Sequence, residues 1–266
     1  MAGKTDWIPD EVNTEVPSAA RIYDFLLGGA HNFEADRLVG KKILDLLPDG
    51  RQVAASNRAF LARAVRYLIE QGITQFLDLG SGIPTVGNVH EIAQAADPRA
   101  RVVYVDYDPV AVAHSELILA GNERATVVDA DMTEPDRVLA NPGVRRLLDF
   151  DEPIGLLLVA VFHFVADERH PRDIVRKYLN VLPPGSFVAI SHLTADQYPA
   201  EMDGVVAAMR NSRDPMYFRS YAEVAALFEG LELVEPGVVH APLWHADPGD
   251  DTGQQGVYAG VGRKAG

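Results

Sequence analysis

Cysteine is absent from this 266-residue chain. Its absence excludes disulfides, thiolate metal sites and thiol nucleophiles, and makes a cytoplasmic location the expectation. Long apolar runs are missing too, and none approaches the roughly 20 residues that a membrane span needs. The opening Met1-Ala-Gly-Lys-Thr-Asp-Trp7 carries charge but no apolar core, so it does not read as a signal peptide. Positive charge is scarce: 24 Lys and Arg face 38 Asp and Glu, a net charge of -14. That average field repels a phosphate backbone and argues against nucleic acid as a partner, while leaving room for a local basic patch. There is no G-x-S-x-G nucleophile elbow and no G-x-x-x-x-G-K-[ST] phosphate loop. No two histidines have helical metal-ligand spacing, so no metal is expected.

What is present is a chain that is 47% hydrophobic, enough for the core of one large domain. Residues 1–20 read as a polar, proline-punctuated arm. Asn32 is placed to cap a helix through Leu47, with Glu34 and Asp36 in its first turn. Ser56 is placed to cap the next, which Gly72 stops. From there strands and helices alternate. Strands are expected at 75–79, 101–106, 125–129, 154–162 and 186–192, and helices at 87–96, 109–120, 134–148, 170–181 and 220–229. The strands are continuous apolar runs, such as Ile154-Gly-Leu-Leu-Leu-Val-Ala-Val-Phe162, the pattern of parallel strands covered on both faces. Two further runs near 231–240 and 256–262 are close enough to pair antiparallel. The expected fold is therefore α/β: a Rossmann-like, doubly wound, mostly parallel seven-stranded sheet. It carries an antiparallel C-terminal strand and an N-terminal helical extension. Residues 1–55 are expected to form the arm and a helical lid, and 56–266 the Rossmann-like domain.

The most informative stretch is Phe76-Leu-Asp-Leu-Gly-Ser-Gly-Ile-Pro84, a buried strand entering a glycine turn. Glycines there let backbone approach a ligand where a side chain would block it. About 25 residues on, Arg101-Val-Val-Tyr-Val-Asp106 ends in an acid placed for ribose hydroxyls. A dinucleotide site would have a third glycine at Thr85, and the next one, Gly87, comes two positions late. Pro84 to Asn88 delays the helix that would face a pyrophosphate. Asp78 would repel phosphate but suits a cationic amino group. These features favour S-adenosylmethionine over a nicotinamide dinucleotide.

The stretches Phe76 to Thr85 and Val103-Tyr-Val-Asp-Tyr-Asp-Pro109 resemble the first two motifs of class I S-adenosylmethionine-dependent methyltransferases. Arg21-Ile-Tyr-Asp-Phe-Leu-Leu-Gly-Gly-Ala-His-Asn-Phe-Glu-Ala-Asp-Arg37 is similar to the opening signature of the actinobacterial DUF574, or S-adenosyl methyltransferase, family. Asn57-Arg-Ala-Phe-Leu61, Gly87-Asn-Val-His-Glu91 and Ser191-His-Leu-Thr-Ala-Asp196 look like the same group. The resemblance spans roughly 17 to 263. It implies methyl transfer from S-adenosylmethionine, with S-adenosylhomocysteine (SAH) as the product.

Gly80 and Gly82 are candidates for the methionine part of the cofactor, and Asp106 for both ribose hydroxyls. Tyr107 is placed to lie on the adenine face, with an exposed loop tyrosine as the rival reading. By resemblance, Asp131 would meet the adenine amino group and Met132 would offer backbone or packing. Arg58 or Arg21 would bind the cofactor carboxylate. Gly28 and Gly29, with Tyr23, Asp24, His31 and Asn32, look like part of a lid, or else a structural turn between helices. His163 and His192 end strands four and five and are candidates for a general base, against the plainer reading of packed, satisfied histidines. Strand four ends without the acid that many amine methyltransferases carry, which weighs against a simple amine acceptor. Aromatics Tyr23, Phe25, Phe162, Tyr198, Tyr217, Phe218 and Trp244 are candidate walls for a small organic acceptor. Two rival functions stand beside transfer: a cofactor-binding sensor without activity, and a nicotinamide oxidoreductase. Oligomeric state is not legible.

Overall fold

The structure, a computed structural model, describes residues 12–84 and 87–266. Helices α1 (Ala19–Leu26), α2 (Glu34–Leu46) and α3 (Gly50–Glu70) precede the sheet. The alternating part then runs β1 (Gln75–Leu79), α4 (Val89–Ala96), β2 (Arg101–Asp106), α5 (Pro109–Ile118), β3 (Ala125–Asp129), α6 (Pro135–Ala140), α7 (Pro142–Leu147), β4 (Gly155–Val159), α8 (Pro171–Val181) and β5 (Phe187–Leu193). It closes with α9 (Pro199–Met209), α10 (Tyr221–Ala226), β6 (Glu232–Leu233), β7 (Val239–His240) and β8 (Val257–Arg263).

The strands order as β3-β2-β1-β4-β5-β8-β6, with β7 also on β8. Strands β1 to β5 are parallel and β8 is antiparallel to β5. The winding reverses between β1 and β4, so the crevice for a ligand opens over their carboxyl ends. Alternate strand residues feed two cores. Phe76, Val102 and Leu157 face the core built on α3, while Leu77, Val103 and Leu158 face the one holding Ile174 and Tyr178 of α8. Both faces are covered, which is why the strands read as unbroken apolar runs.

The sheet has eight strands, not the seven expected. The run expected at 231–240 is two short segments: β6 pairs with Gly262 and Arg263, and β7 with Tyr258 and Ala259. Pro236 and Gly237 lie between them, and a proline offers no N–H to a ladder. The helix expected at 134–148 is broken at Asn141-Pro142. The Asn141 side chain accepts from Gly143 N at 2.8 Å and starts a new helix. Ser56 caps nothing: α3 runs through it from Gly50, so the boundary set at 55/56 falls inside one helix. Asn32 is not the cap of α2 either, because Asp36 Oδ2 accepts from Phe33 N at 2.8 Å and fixes the helix start there. Of the arm at 1–20, residues 1–11 lie outside the described residues, and the chain is already helical from Ala19. Among the described residues no helix is long and apolar enough to cross a membrane.

Candidate active site

The chain leaves β1 through the glycine turn. Gly80 N donates to Val105 O at 2.7 Å, and Gly80 and Gly82 have φ of +69° and +67°. The two glycines serve different ends. A Cβ on Gly80 would sit 2.5 Å from Val161 Cγ1, whereas one on Gly82 would meet nothing within 4 Å and point into the crevice. Asp106 locks the turn, with Oδ2 accepting from Gly82 N at 2.7 Å and Oδ1 from Asp108 N at 2.8 Å. Helix α4 starts late, at Val89, with Glu91 accepting from Gly87 N and Asn88 N. Among the described residues no helix start follows the turn before Val89, whereas a pyrophosphate site requires one directly after it. Thr85 lies outside the described residues.

Two carboxyls here are buried at an energetic cost. Burial pushes Asp78 up to about 7, opposed by the Arg58 guanidinium and reinforced by Asp106. Burial also pushes Asp106 up to about 6, against the backbone N–H bonds it accepts. Among the described residues the Asp78 carboxylate accepts no hydrogen bond, and it lines the crevice. A buried acid without a partner beside a Cβ-free turn fits the ammonium and backbone-hugging chain of an amino-acid moiety. Arg58 lines the same space and its Nη2 donates to Gly87 O at 3.2 Å. Asp106→Ala is expected to weaken SAH binding by about 1.5–3 kcal/mol, the range for a charged hydrogen bond, as read by calorimetry.

The crevice is one cavity of ≈ 430 Å³ running from the ends of β1, β2, β3 and β4 to a chamber beneath α1, α2 and α9. Tyr107, Asp131 and Met132 line its cofactor side. The Tyr107 hydroxyl donates to Asp214, and Arg213 Cζ lies 4.3 Å from its ring centroid, so one face of that ring is already covered. Asp131 Oδ1 accepts from Thr133 N at 2.8 Å, leaving Oδ2 facing Arg169 at 3.6 Å. The Met132 carbonyl accepts from Tyr178 OH at 2.7 Å, which pins the end of β3.

Several expectations are corrected. Arg21 is 3% exposed and its Nε donates to Asp36 Oδ2 at 2.9 Å. It also donates to the Val16 carbonyl, so it staples α1 to α2 and does not line the cavity. Gly29, His31 and Asn32 form the turn between those helices, held by Asp24 of α1. Asp24 Oδ2 accepts from His31 N at 2.9 Å and Asn32 Nδ2 at 2.8 Å, and a Cβ on Gly29 would meet Asp24 Oδ1 at 2.0 Å. Gly28 supplies the left-handed residue of that turn at φ +82°. Of the expected lid residues, Tyr23 alone reaches the cavity. His192 does not line the cavity: Nδ1 donates to Leu193 O at 2.6 Å and Nε2 accepts from Arg219 Nη1 at 2.9 Å. Both nitrogens are used, and burial pushes the ring down to about 4, so it is no base. Phe162 and Trp244 are core residues. Of the aromatic walls expected, Tyr23 is the one that lines the cavity.

His163 does line the cavity, 2% exposed, with burial holding it well below the usual histidine range. Tyr23 OH accepts from Asn57 Nδ2 at 3.0 Å and donates to Ala54 O at 3.1 Å. Asn57 Oδ1 accepts from Ser191 Oγ, which itself accepts from Ala160 N at 2.9 Å. The chain of bonds ties α1 to the end of β4, where Ala160 holds a left-handed φ of 58° beside the cavity. Backbone strain of this kind gathers at functional sites. Sequence reasoning missed Asn57, Ser191 and the whole of α9. Four of the five methionines (Met132, Met202, Met209 and Met216) line this one cavity, a signal that was there to be read.

A doubly wound sheet with this turn, an acid at the end of β2 and, among the described residues, no helix start directly after the turn agrees with one class: a Rossmann-like S-adenosylmethionine-dependent methyltransferase. The chain belongs to the S-adenosyl methyltransferase family Methyltransf_19, which matches residues 5–265. A DUF574 family protein from Streptomyces avermitilis is 41% identical, covering 94% of this chain and 98% of that chain at a TM-score of 0.91. A protein from Thermobifida fusca assigned as a methyltransferase is 39% identical, covering 98% and 99% at a TM-score of 0.92. Human N-acetylserotonin methyltransferase, solved with S-adenosylmethionine, shares the fold at 13% identity, covering 98% of this chain and 61% of that chain at a TM-score of 0.50. No curated protein matches the chain.

Proposed function

We propose that this methyltransferase acts on a small apolar organic molecule, held in the chamber beneath α1, α2 and α9. The observation that carries the reading is the composition of that chamber. Beyond the cofactor contacts its walls include Ile22, Leu26, Ile43, Met202, Val205 and Met209. Methionine is flexible and polarisable, and suits a wall that adapts to an apolar guest. In this reading Asp78 and Arg58 hold the ends of the amino-acid moiety, and Gly80 and Gly82 let it lie against backbone. Asp106 holds the ribose, with Tyr107, Asp131 and Met132 around the adenine. S-adenosylmethionine, when bound, supplies an electrophilic methyl carbon on its sulfonium. The chain's task is then to align the acceptor, and positioning of that kind is worth roughly 7–11 kcal/mol. The N-terminal helices cover the chamber and exclude water from it. A small apolar acceptor, a cytoplasmic setting and no nucleic-acid partner agree with the chain's charge and its lack of cysteine.

The test pairs transfer of labelled methyl from S-adenosylmethionine to a panel of apolar metabolites with one wall substitution. Met209→Glu places a charge in an apolar wall. It is expected to leave SAH affinity within about twofold and to weaken 2-naphthol binding by about tenfold or more. Equal 2-naphthol binding by both proteins removes the chamber as the acceptor site. Tight SAH binding with no product from any acceptor favours the sensor reading instead.

A further inference from the structure

We infer that the acceptor presents an ionised oxygen, a carboxylate or acidic phenolate, and that His163 meets it as a hydrogen-bond donor through Nε2–H, with no side chain acting as base. The inference rests on the apolar acceptor chamber proposed above and names the atom that the chamber delivers.

It starts from what the cavity does not offer. Asp78 and Asp106 face the cofactor. The remaining acids on its walls follow β2, β3 and α9 rather than β4, and among the described residues the buried Oδ2 of Asp108 has no hydrogen-bond partner. Asp131 accepts from Thr133 and faces Arg169, Asp214 accepts from Tyr107 OH and from Ala19 N at 2.7 Å, and Asp108 caps α5 through Val110 N at 2.9 Å. Tyr23 OH already donates to Ala54 O, and burial raises it further above the usual phenol range. His163 alone is left among the titratable walls near the end of β4.

Its geometry makes it a donor. Nδ1 faces the backbone N–H of Leu193 at 3.5 Å, a long contact but one that only an unprotonated nitrogen can accept. The neutral ring then carries its proton on Nε2, and among the described residues Nε2 has no partner. Burial, the neighbouring His192 ring at 5.5 Å between centroids and the Arg219 charge all hold the ring neutral. A ring that resists protonation and already bears its hydrogen on the cavity side cannot take a proton from the acceptor there. It can still give a hydrogen bond.

The surrounding charge selects the partner. Arg219 is 5% exposed and donates to Phe162 O and Val165 O, each at 2.8 Å, as well as to His192 Nε2. Its carboxylate partner, Asp167, has a side chain 74% exposed, so water screens that side of the guanidinium and protein the other. The field reaching His163 is therefore positive, which favours an anion and disfavours an ammonium. The same clamp grips the carbonyls on both sides of His163 and fixes where its ring points.

The chemistry balances without a base. A lone pair of the acceptor's O⁻ forms the O–CH3 bond, the methyl carbon–sulfur bond breaks, and its electron pair stays on sulfur as the thioether of SAH. No proton is released. The anion and the sulfonium cancel each other's charge, a change that a water-excluding apolar chamber favours.

The test uses three probes of one shape: 1-naphthoate, 1-naphthamide and 1-naphthylmethylammonium. Each is titrated by calorimetry into the full chain loaded with S-adenosylmethionine. Naphthoate is expected to bind about tenfold or more tighter than either of the others, the fold-change of one charge-assisted hydrogen bond. His163→Leu is expected to erase that preference while SAH affinity holds. His163→Gln, whose amide still donates, is expected to keep part of it. Tightest binding of the ammonium, equal binding of the three, or a preference that survives His163→Leu overturns the inference. Binding of none of the three overturns the acceptor chamber itself, and the inference with it.

Discussion

Asp78→Asn is expected to stabilise the cofactor-free protein and, in the same step, to abolish tight cofactor binding. The folded state holds Asp78 near 7, about three units above the 3.8 of an exposed aspartate. Between roughly pH 4 and pH 7 the folded protein therefore keeps a proton that the unfolded chain has released. Stability falls as pH rises through that window, and above it the cost stays constant. At about 1.4 kcal/mol per unit, it is on the order of 2–4 kcal/mol. Asparagine removes it, so denaturant unfolding of the apo variant at pH 7.5 should show a higher midpoint and a flatter pH profile. Asp106, raised to about 6, leaves a smaller slope of the same sign. Cofactor binding carries the opposite sign. Pairing with the ammonium requires the carboxylate, so SAH affinity should rise about tenfold per pH unit up to pH 7 and then level off. In Asp78→Asn that rise should vanish. A destabilised variant would refute the burial cost, and one that binds SAH with the original pH profile would show that Asp78 does not face the ammonium.

The second large effect separates the two glycines. Alanine at either position must adopt a left-handed backbone, which costs about 1–2 kcal/mol. At Gly80 the new Cβ also drives into Val161, adding about 1–3 kcal/mol of overpacking. Gly80→Ala should therefore lower stability by about 2–5 kcal/mol with or without cofactor. Gly82→Ala should lose only the backbone share of about 1–2 kcal/mol in stability, yet lose SAH affinity by about tenfold or more, because its Cβ enters ligand space. Adding Val161→Ala to Gly80→Ala should restore the overpacking share alone. Stability changes that match at the two glycines would refute this division, and calorimetry with a double-mutant cycle measures it.

These sites were legible to unequal degrees. The bounds of β1 and β2 follow from largely apolar runs that end at Gly80 and Asp106, because both strands are buried along nearly their whole length, whereas the half-buried β3 ends in the exposed Asp129. Gly80, Asp106, Asp131 and Met132, proposed for the cofactor, follow strand ends directly and could be named for the same reason, while Arg58 comes from α3. The roof was not legible. Helix α9 carries Gly204 in its middle, which reads as a helix weakness. In the structure that glycine admits α2, since a Cβ there would meet Leu46 Cδ2 at 2.9 Å. His192 was placed correctly at the end of β5, but its role was set by Arg219, 27 residues further on. Arg21 was likewise decided by Asp36, 15 residues away. Partners of this kind depend on tertiary docking and leave no local pattern.

In the function proposed above, donor and acceptor contacts are carried by different parts of the chain. Carboxyl ends of the sheet strands hold most of one set, while the apolar walls come from α1, α2, α3 and α9, which lie outside the sheet. Helices α2 and α9 come from distant stretches of the chain and touch through Gly204 and Leu46. On that proposal, substitutions in those helices are expected to recut the shape admitted without disturbing the grip on the methyl source. In an evolving lineage, or in a designed library, substrate range is thus free to drift at residues such as Ile43, Met202 and Met209 while the reaction stays the same.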